Sequence, residues 1–198
     1  EGSSVSCSVE NLVDENGMRY ACTGWTGTGD IPSSGTSNHT DQIALWQDSS
    51  ITWNWSTNYW LDVTAAGNGS LNVTDGFYLK GSNLLLSAAP DTGWLFTGWS
   101  GDLVGGYTTA STNILITGSN SVTATFSDDA DGDGITNTQE AGHGTDPRNS
   151  DSDHDGLSDG WEINNGTSPL VDDTGADLDG DGLTNAEEYA AGTSPSNP

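Results

Sequence analysis

Short runs of β-branched and aromatic residues, separated by turn-forming residues, dominate the first two thirds of the chain. Four runs have the composition of β-strands, namely residues 51–55, 71–74, 84–87 and 122–126. Glycine, aspartate, asparagine or proline borders the runs, which is typical of turns between strands. No segment before residue 128 repeats its apolar residues with the period of an amphipathic helix. The pattern therefore predicts a mainly β structure.

Two parts of this region resemble each other in sequence. Residues 20–27 read YACTGWTG and residues 94–101 read WLFTGWSG, and each segment is followed by a polar, glycine-rich connection and a strand-like run. An internal repeat of this kind indicates that one structural unit occurs twice. We therefore predict two related β units, residues 1–57 and residues 58–127.

The chain has two cysteines, Cys7 and Cys22, separated by a segment in which apolar and polar residues alternate. Their midpoint falls between Asp14 and Glu15. A hairpin that turned there would place the two sulfurs opposite each other on neighbouring strands. In an oxidising location we expect a cross-strand disulfide between them. The alternative is a pair of free, buried thiols.

The charge of the chain is strongly negative and unevenly distributed. There are 29 acidic and 3 basic residues, which give a formal net charge of −26, and 18 of the carboxylates lie in residues 128–198. So few cationic side chains exclude electrostatic binding to nucleic acid or to an anionic membrane surface. No stretch approaches the roughly 20 apolar residues of a membrane span. The acidic last third therefore needs another source of positive charge.

This last third repeats a 12-residue loop three times, at residues 129–140, 151–162 and 177–188. Each loop has oxygen-bearing side chains at positions 1, 3, 5, 9 and 12, glycine at position 6 and an aliphatic residue at position 7. Ca²⁺ takes about 6–8 oxygen ligands, including a backbone carbonyl at position 7 and a Glu at position 12. The predicted ligands are Asp129, Asp131, Asp133, Ile135, Asn137, Glu140, Asp151, Asp153, Asp155, Leu157, Asp159, Glu162, Asp177, Asp179, Asp181, Leu183, Asn185 and Glu188.

Calcium suits these loops better than other cations do. Mg²⁺ prefers fewer protein ligands and retained waters, and the loops lack the cysteine and histidine ligands that zinc favours. We expect about three Ca²⁺ sites, one for each loop. Paired EF-hands do not fit, because helix breakers precede the second and third loops. Only short exiting helices are predicted, such as residues 185–191, which end at Gly192.

Residues 128–198 resemble the bacterial thrombospondin type 3 repeats, since each loop is followed by a Gly-Thr-Asp-Pro or Gly-Thr-Ser-Pro segment. In that family successive loops wrap around calcium ions in an extended array. The resemblance implies that carboxylates such as Asp146, Asp172 and Asp173 are shared between repeats, which would add further sites.

Residues 59–126 resemble the divergent internalin-B-type B-repeat of large bacterial surface proteins. The matching features include the turn at residues 67–69, the Phe96, Gly98 and Trp99 motif, and the closing run at 122–126. Residues 1–57 match only in their second half, through Gly24, Trp25 and Gly27. Together, the resemblances imply two small grasp-like β modules, then an irregular calcium-loop array with short helices, and no enzymatic activity.

Two tryptophans, Trp53 and Trp55, occupy alternate positions of a predicted strand and therefore one face of it. One interpretation is that they pack in the core of a small β unit. The other is that they form an exposed aromatic surface for sugar rings or for a neighbouring module. The three histidines have no nucleophile at a recognisable spacing, so no catalytic residue is predicted.

The expected function is mechanical: a calcium-stabilised structural module outside the cell, forming a segment or protomer of a bacterial surface stalk, adhesin or fibre. Its expected partners are calcium and neighbouring copies or adjoining modules. Extracellular calcium would fill sites with dissociation constants of roughly 10⁻⁴–10⁻³ M, whereas cytosolic calcium would not. Two alternatives stay open: a module that binds carbohydrate or another surface, and a non-catalytic spacer of a secreted hydrolase.

Overall fold

The computed structural model describes residues 3–103 and 108–198 of the protein. Its strands are β1 (Ser3–Val5), β2 (Leu12–Glu15), β3 (Met18–Thr28), β4 (Ser34–Gly35), β5 (Ile43–Leu45), β6 (Ser50–Ala66), β7 (Gly69–Leu71), β8 (Gly76–Leu79), β9 (Asn83–Pro90), β10 (Leu95–Gly101), β11 (Ser111–Leu115) and β12 (Asn120–Ser127). Its helices are α1 (Asn137–His143), α2 (Asp159–Asn165) and α3 (Asn185–Ala191). Strands form 40% of the structure and helices 11%, which confirms the predicted mainly β fold with short helices.

Three of the four predicted strands lie inside longer observed strands, β6, β9 and β12. The fourth prediction is wrong for most of its length, because β7 ends at Leu71 and residues 72–74 leave the sheet. The side chain of Asn72 donates to the carbonyl of Leu85 at 2.9 Å and accepts from the N–H of Ser87 at 2.7 Å. Such side-chain bonds to the main chain compete with strand pairing.

Within the described residues, hydrogen bonds join the strands into sheets of seven, three and two strands. The largest has the order β10-β12-β6-β3-β2, with β4 paired to β3 and β8 to β6; the others are β11-β9-β7 and β1-β5. The 17-residue strand β6 pairs antiparallel with β3 from Ser50 to Tyr59, with one bulge on β3 between Cys22 and Gly24. This pair of long strands organises the largest sheet.

Tertiary contacts divide the chain into two compact units. The first, here called the strand unit, comprises Glu1–Thr64, Leu71–Ser87 and Trp99–Thr123. Its core is made of aliphatic and tryptophan side chains that alternate with exposed residues along the strands, as expected for sheets with one buried face. Fully buried examples are Leu61, Leu86, Ile116 and Val122.

The second unit, here called the repeat unit, comprises Ala65–Ser70, Ala88–Gly98 and Ala124–Pro198. It joins the three acidic loops to the ends of several strands. The rings of Phe96 and Phe126 meet edge to face, with centroids 6.0 Å apart. A Cβ atom at Gly69 would lie 2.6 Å from the Phe126 ring, so the predicted turn at residues 67–69 requires glycine at this position.

The structure does not contain the predicted disulfide, because Cys7 and Cys22 are both free thiols. The N–H of Cys22 donates to the carbonyl of Asn11 at 2.9 Å, whereas the carbonyl of Cys7 accepts from the N–H of Thr40 at 2.8 Å. The two cysteines therefore have different neighbours across their strands.

The hairpin register explains this correction. The chain turns at Asn16 and Gly17, whose φ angles are 52° and 77°, and it pairs Glu15 with Met18. Two consecutive left-handed residues with an Asn-Gly sequence are typical of a tight hairpin turn. The turn therefore lies closer to Cys22 than we predicted, since we had expected it between Asp14 and Glu15. The predicted register, which placed the two cysteines opposite each other, is wrong.

Candidate metal centre

The carboxylates at positions 1, 3 and 5 come together in each acidic loop. One oxygen from each of the three lies within 4.8 Å of the others. The groups are Asp129, Asp131 and Asp133; Asp151, Asp153 and Asp155; and Asp177, Asp179 and Asp181.

Backbone donors inside each loop hold the position-1 aspartate. In the first loop Asp129 accepts the N–H groups of Gly132 at 2.7 Å and Gly134 at 3.2 Å. The position-6 glycines Gly134, Gly156 and Gly182 have φ angles of 97°, 95° and 101°. This left-handed conformation disfavours side chains, so glycine at position 6 is a stereochemical requirement of the turn.

One oxygen of each position-3 aspartate is buried and has no hydrogen-bond partner. Their Oδ1 atoms accept the N–H of position 5 at 3.1–3.3 Å. Their Oδ2 atoms are buried and unpartnered in Asp131, Asp153 and Asp179. Burial raises the pKa of Asp131 and of Asp153. A buried carboxylate oxygen without a donor is costly, and a bound cation would remove that cost.

The glutamates at position 12 show the same feature more strongly. Glu140, Glu162 and Glu188 are 0%, 0% and 1% exposed, and neither oxygen of any of them has a hydrogen-bond partner. Burial, with nearby aspartates, raises the pKa of Glu140 to about 7 and that of Glu162 to about 8. Burial also raises the pKa of Glu188. These carboxylates are the clearest sign that the loops are built around cations.

Two further carboxylate groups form between neighbouring repeats. Asp133 and Glu140 of the first loop lie with Asp159 of the second, and Asp155 and Glu162 of the second lie with Asp173, which precedes the third. Each group uses the position-5 and position-12 carboxylates of one loop and an aspartate from further along the chain. This aspartate is at position 9 of the second loop in one group and in the segment before the third loop in the other. The position-5 aspartate belongs both to its own loop and to this shared group.

The position-9 side chains, all predicted as ligands of their own loops, make hydrogen bonds to neighbouring backbone or carboxylate groups. Asn137 and Asp159 accept the N–H of position 2 at 3.1 Å and 2.8 Å, respectively, and so close the loop. Asp159 also faces the preceding loop, as described above. Asn185 donates to the carbonyl and carboxylate of Asp173 at 2.9 Å and 3.0 Å.

Of the extra carboxylates that the family resemblance suggested for sharing, only Asp173 joins a group among the described residues. Asp146 instead accepts the N–H of Arg148 at 3.1 Å, and Asp172 accepts the hydroxyl of Thr174 at 2.7 Å. These two carboxylates therefore stabilise local turns.

The position-7 residues follow the left-handed glycines. Ile135 and Leu157 are each 2% exposed, whereas Leu183 is 39% exposed. The aliphatic side chain is therefore part of the core in the first two loops and lies at the surface in the third.

A seven-residue helix begins at position 9 of each loop and contains the position-12 glutamate. The helices begin after Thr136, Ser158 and Thr184, whose side chains accept a backbone N–H of the first turn, and they end at a left-handed glycine. These caps supply partners for helix ends that short helices could not otherwise satisfy. The predicted helix at residues 185–191 is confirmed, including its end at Gly192.

Two side chains attach the first repeat to the strand ends within the repeat unit. Asn137 donates to the carbonyls of Gly93 at 3.0 Å and Ser127 at 2.9 Å. Arg148, between the first and second loops, donates to the carbonyl of Phe96 at 3.0 Å. The start of the acidic array is thus bonded to β strands rather than to another repeat.

Substitution of Gly160 by alanine is expected to loosen the contact between the first and second repeats. The N–H of Gly160 donates to Oδ2 of Asp133 at 2.7 Å, and a Cβ atom there would clash with the carbonyl oxygen of Asp133. We expect a loss of about 1–3 kcal/mol in the free energy of unfolding, measured in calcium. Gly142→Ala is the control, because no atom lies within 4 Å of its Cβ position. Equal stability of the two variants would contradict this packing.

The raised pKa values predict an unusual pH dependence without calcium. Glu140 and Glu162 titrate near 7 and 8 in the folded chain, above their ordinary value of 4.5. The folded state therefore binds more protons than the unfolded state in this interval, so its stability falls as the pH rises. In EDTA, the melting temperature of the repeat unit should be higher at pH 5.5 than at pH 8. A melting temperature that rises between these pH values would contradict the assignment.

The chain is thus a β-rich protein with a repeated array of acidic loops, and the loops are of the cation-binding type. Residues 59–130 match the family model of the divergent InlB B-repeat domain, and residues 129–150, 151–171 and 177–198 match bacterial TSP3 repeats. Both resemblances noted in the sequence are thereby confirmed. No curated protein and no solved structure matches the chain.

Calcium binding and location outside the cell are the properties that these matches indicate for the two segments, because both are typical of the matched families. TSP3 repeats bind calcium, and the Asp-rich groups of this chain are able to bind a metal. Both families are typical of extracellular or surface proteins. Among the described residues, no helix has the length and apolar character needed to cross a membrane.

The two tryptophans singled out in the sequence have different surroundings. Trp53 is half-buried and stands opposite Trp25 in the pairing of β6 with β3. Trp55 is 39% exposed and lines a groove of about 450 Å³ together with Val13, Glu15, Tyr20 and Thr57. Trp55 and Tyr20 are therefore the aromatic side chains that this groove offers to a ligand.

Proposed function

We propose that this chain is a calcium-stabilised structural module outside the cell and forms a segment or protomer of a bacterial surface stalk, adhesin or fibre. The proposed organisation is β units at residues 1–57 and 58–127, followed by a calcium array at residues 128–198. The observation that carries the proposal is the buried glutamate at position 12 of every loop, with both oxygens unpartnered.

Calcium is the cation that the donor set favours. The groups consist of carboxylates, and a position-12 glutamate can close a calcium shell with both of its oxygens. The structure contains no cysteine or histidine in these groups among the described residues. The two carboxylate groups that combine residues of different repeats favour a number of bound ions larger than the three predicted from the loops alone.

The structural role follows from what the ions would join. An ion shared by Asp133, Glu140 and Asp159 would hold the first repeat to the second. One shared by Asp155, Glu162 and Asp173 would hold the second repeat to the segment before the third loop, and Asn185 of the third repeat bonds to Asp173 of that segment. Each ion would therefore act as a cross-link between consecutive repeats. Repeat families of these kinds are typically non-catalytic, which agrees with a mechanical role.

Isothermal titration calorimetry with calcium and magnesium tests this proposal. We expect more than three calcium ions per chain, with dissociation constants of 10⁻³ M or below, and binding of magnesium that is weaker by about tenfold. Equal affinity for the two cations, or no heat of binding with calcium, would contradict it.

The groove around Trp55 supports a second candidate function, the binding of carbohydrate. Exposed aromatic rings stack on the apolar faces of sugars, and Glu15 and Thr57 supply polar groups beside them. Affinity for a polysaccharide that is lost on Trp55→Ala but kept on Trp46→Ala would favour this function. Trp46 is the control because it is 75% exposed and does not line the groove.

A further inference from the structure

The groove beside Trp55 crosses three strands of the largest sheet. Val13 on β2 stands opposite Tyr20 on β3, and Tyr20 stands opposite Thr57 on β6. These three residues form a row across the strands, and Trp55 adds an aromatic ring on β6, two residues before Thr57. The row spans about 10 Å from β2 to β6, because neighbouring strands lie about 4.8 Å apart. The floor of the groove is therefore elongated and partly aromatic.

Glu15 supplies the charge of this groove, and its carboxylate is not neutralised. Among the described residues, Glu15 forms no ion pair. The adjacent Asp14 faces the other side of β2, since alternate residues of a strand point to opposite faces. There Asp14 accepts from Nε and Nη2 of Arg19, each at 2.8 Å. Arg19 is therefore paired on the opposite face of the sheet.

A second cation, Lys80, lies beyond the other end of the row. Its N–H donates to the carbonyl of Thr57 at 2.9 Å, but Lys80 does not line the groove. Strands β3 and β8 pair with opposite edges of β6, so Lys80 and Glu15 are three strands, or about 14 Å, apart. The groove thus combines aromatic rings with one negative charge, which is at its β2 end.

We propose that this groove binds a cationic polysaccharide, one that contains amino sugars with free amines. The inference rests on the second candidate function proposed above, the binding of carbohydrate, and names the class of sugar. A protonated amine pairs with Glu15 while another ring of the same glycan stacks on Trp55. The formal net charge of −26 acts in the same direction, because the field of the chain attracts cationic glycans and repels anionic ones.

Calorimetry of the full chain in millimolar calcium tests this inference with short oligosaccharides of glucosamine, N-acetylglucosamine and glucose that share one linkage. In slightly acidic buffer, where the free amine is protonated, the glucosamine oligomer should bind about threefold to fivefold more tightly than the other two, as expected for one exposed ion pair. Added salt should reduce this preference.

Two variants assign the preference to the groove. Glu15→Gln should abolish it and leave the binding of the neutral oligosaccharides unchanged. Glu10→Gln is the matched control, because Glu10 is also exposed but does not line the groove. It removes the same charge from the chain and should keep the preference.

Equal affinity for the three oligosaccharides overturns the inference, as does a preference that Glu15→Gln leaves unchanged. A lysine oligomer that competes as well as the glucosamine oligomer also overturns it, because the groove would then recognise positive charge without a sugar. Trp55→Ala separates these failures from failure of the candidate function. Binding of neutral oligosaccharides that Trp55→Ala abolishes, without a preference for the amine, contradicts only the inference. No binding of any of the three contradicts both.

Discussion

Removal of calcium with EDTA should unfold the repeat unit or lower its melting temperature steeply. An ion bound with a dissociation constant of about 10⁻⁴ M contributes about 1.4 kcal/mol at about 1 mM calcium. Three such ions contribute about 4 kcal/mol, which is a large part of the stability of a small domain. Without them, the buried glutamates at position 12 lie among aspartates with no compensating charge.

Differential scanning calorimetry with excess calcium, with EDTA and with EDTA followed by fresh calcium measures this effect. The lost transition should return when calcium is restored, and magnesium at the same concentration should restore it poorly. A melting profile that is the same in calcium and in EDTA would show that the loops do not depend on the ion.

Substitution of Glu162 by glutamine should reduce the stabilisation that calcium gives and should stabilise the calcium-free chain. The variant loses a ligand from the group with Asp155 and Asp173, so we expect the gain in the free energy of unfolding on adding calcium to fall by about 1 kcal/mol or more. In EDTA the wild type must bury this carboxyl group either charged without a partner or protonated at the cost of its raised pKa, and we expect its replacement to give a gain of roughly 1–3 kcal/mol.

Chemical denaturation of the variant and the wild type in both conditions measures the two effects. Glu187→Gln is the control, because Glu187 is exposed and accepts from Thr184 rather than joining a carboxylate group. A glutamine, Gln139, already takes the same capping position in α1. It should change stability little in either condition. A Glu162→Gln variant that is less stable than the wild type in EDTA would argue that the glutamate is held by protein contacts alone.

The arrangement within each loop could be predicted from the sequence because it depends on local spacing. Alternate aspartates at positions 1, 3 and 5, with a left-handed glycine at 6, bring three carboxylates together in any copy of the loop. The helix caps are equally local, and the threonine, serine and glycine residues that form them can be read from the chain.

The groups between repeats could not be predicted from spacing. Asp159 was expected to bind the ion of its own loop, but the contact between repeats places it beside Glu140 of the preceding loop. Asp173, which lies outside the 12-residue pattern, joins Glu162 in the same way. The three loops are nearly alike in sequence, but the position-7 side chains Ile135 and Leu157 are buried, whereas Leu183 is 39% exposed. This difference depends on tertiary contacts, which the spacing does not show.

The hairpin near the N-terminus was predicted wrongly although its signal was present. Symmetry between Cys7 and Cys22 suggested a turn between Asp14 and Glu15, whereas the chain turns at Asn16 and Gly17. The Asn-Gly pair adopts left-handed conformations at little cost, and this local preference sets the register. The spacing of the two cysteines does not constrain the backbone in this way unless a disulfide joins them.

Amide hydrogen exchange of the full chain, in calcium and in EDTA, tests the central claim most directly, because it reports on each segment separately. The account predicts strong protection of α1, α2 and α3 in calcium and loss of that protection in EDTA, while β3 and β6 stay protected in both. Equal protection of the three helices in calcium and in EDTA would contradict it.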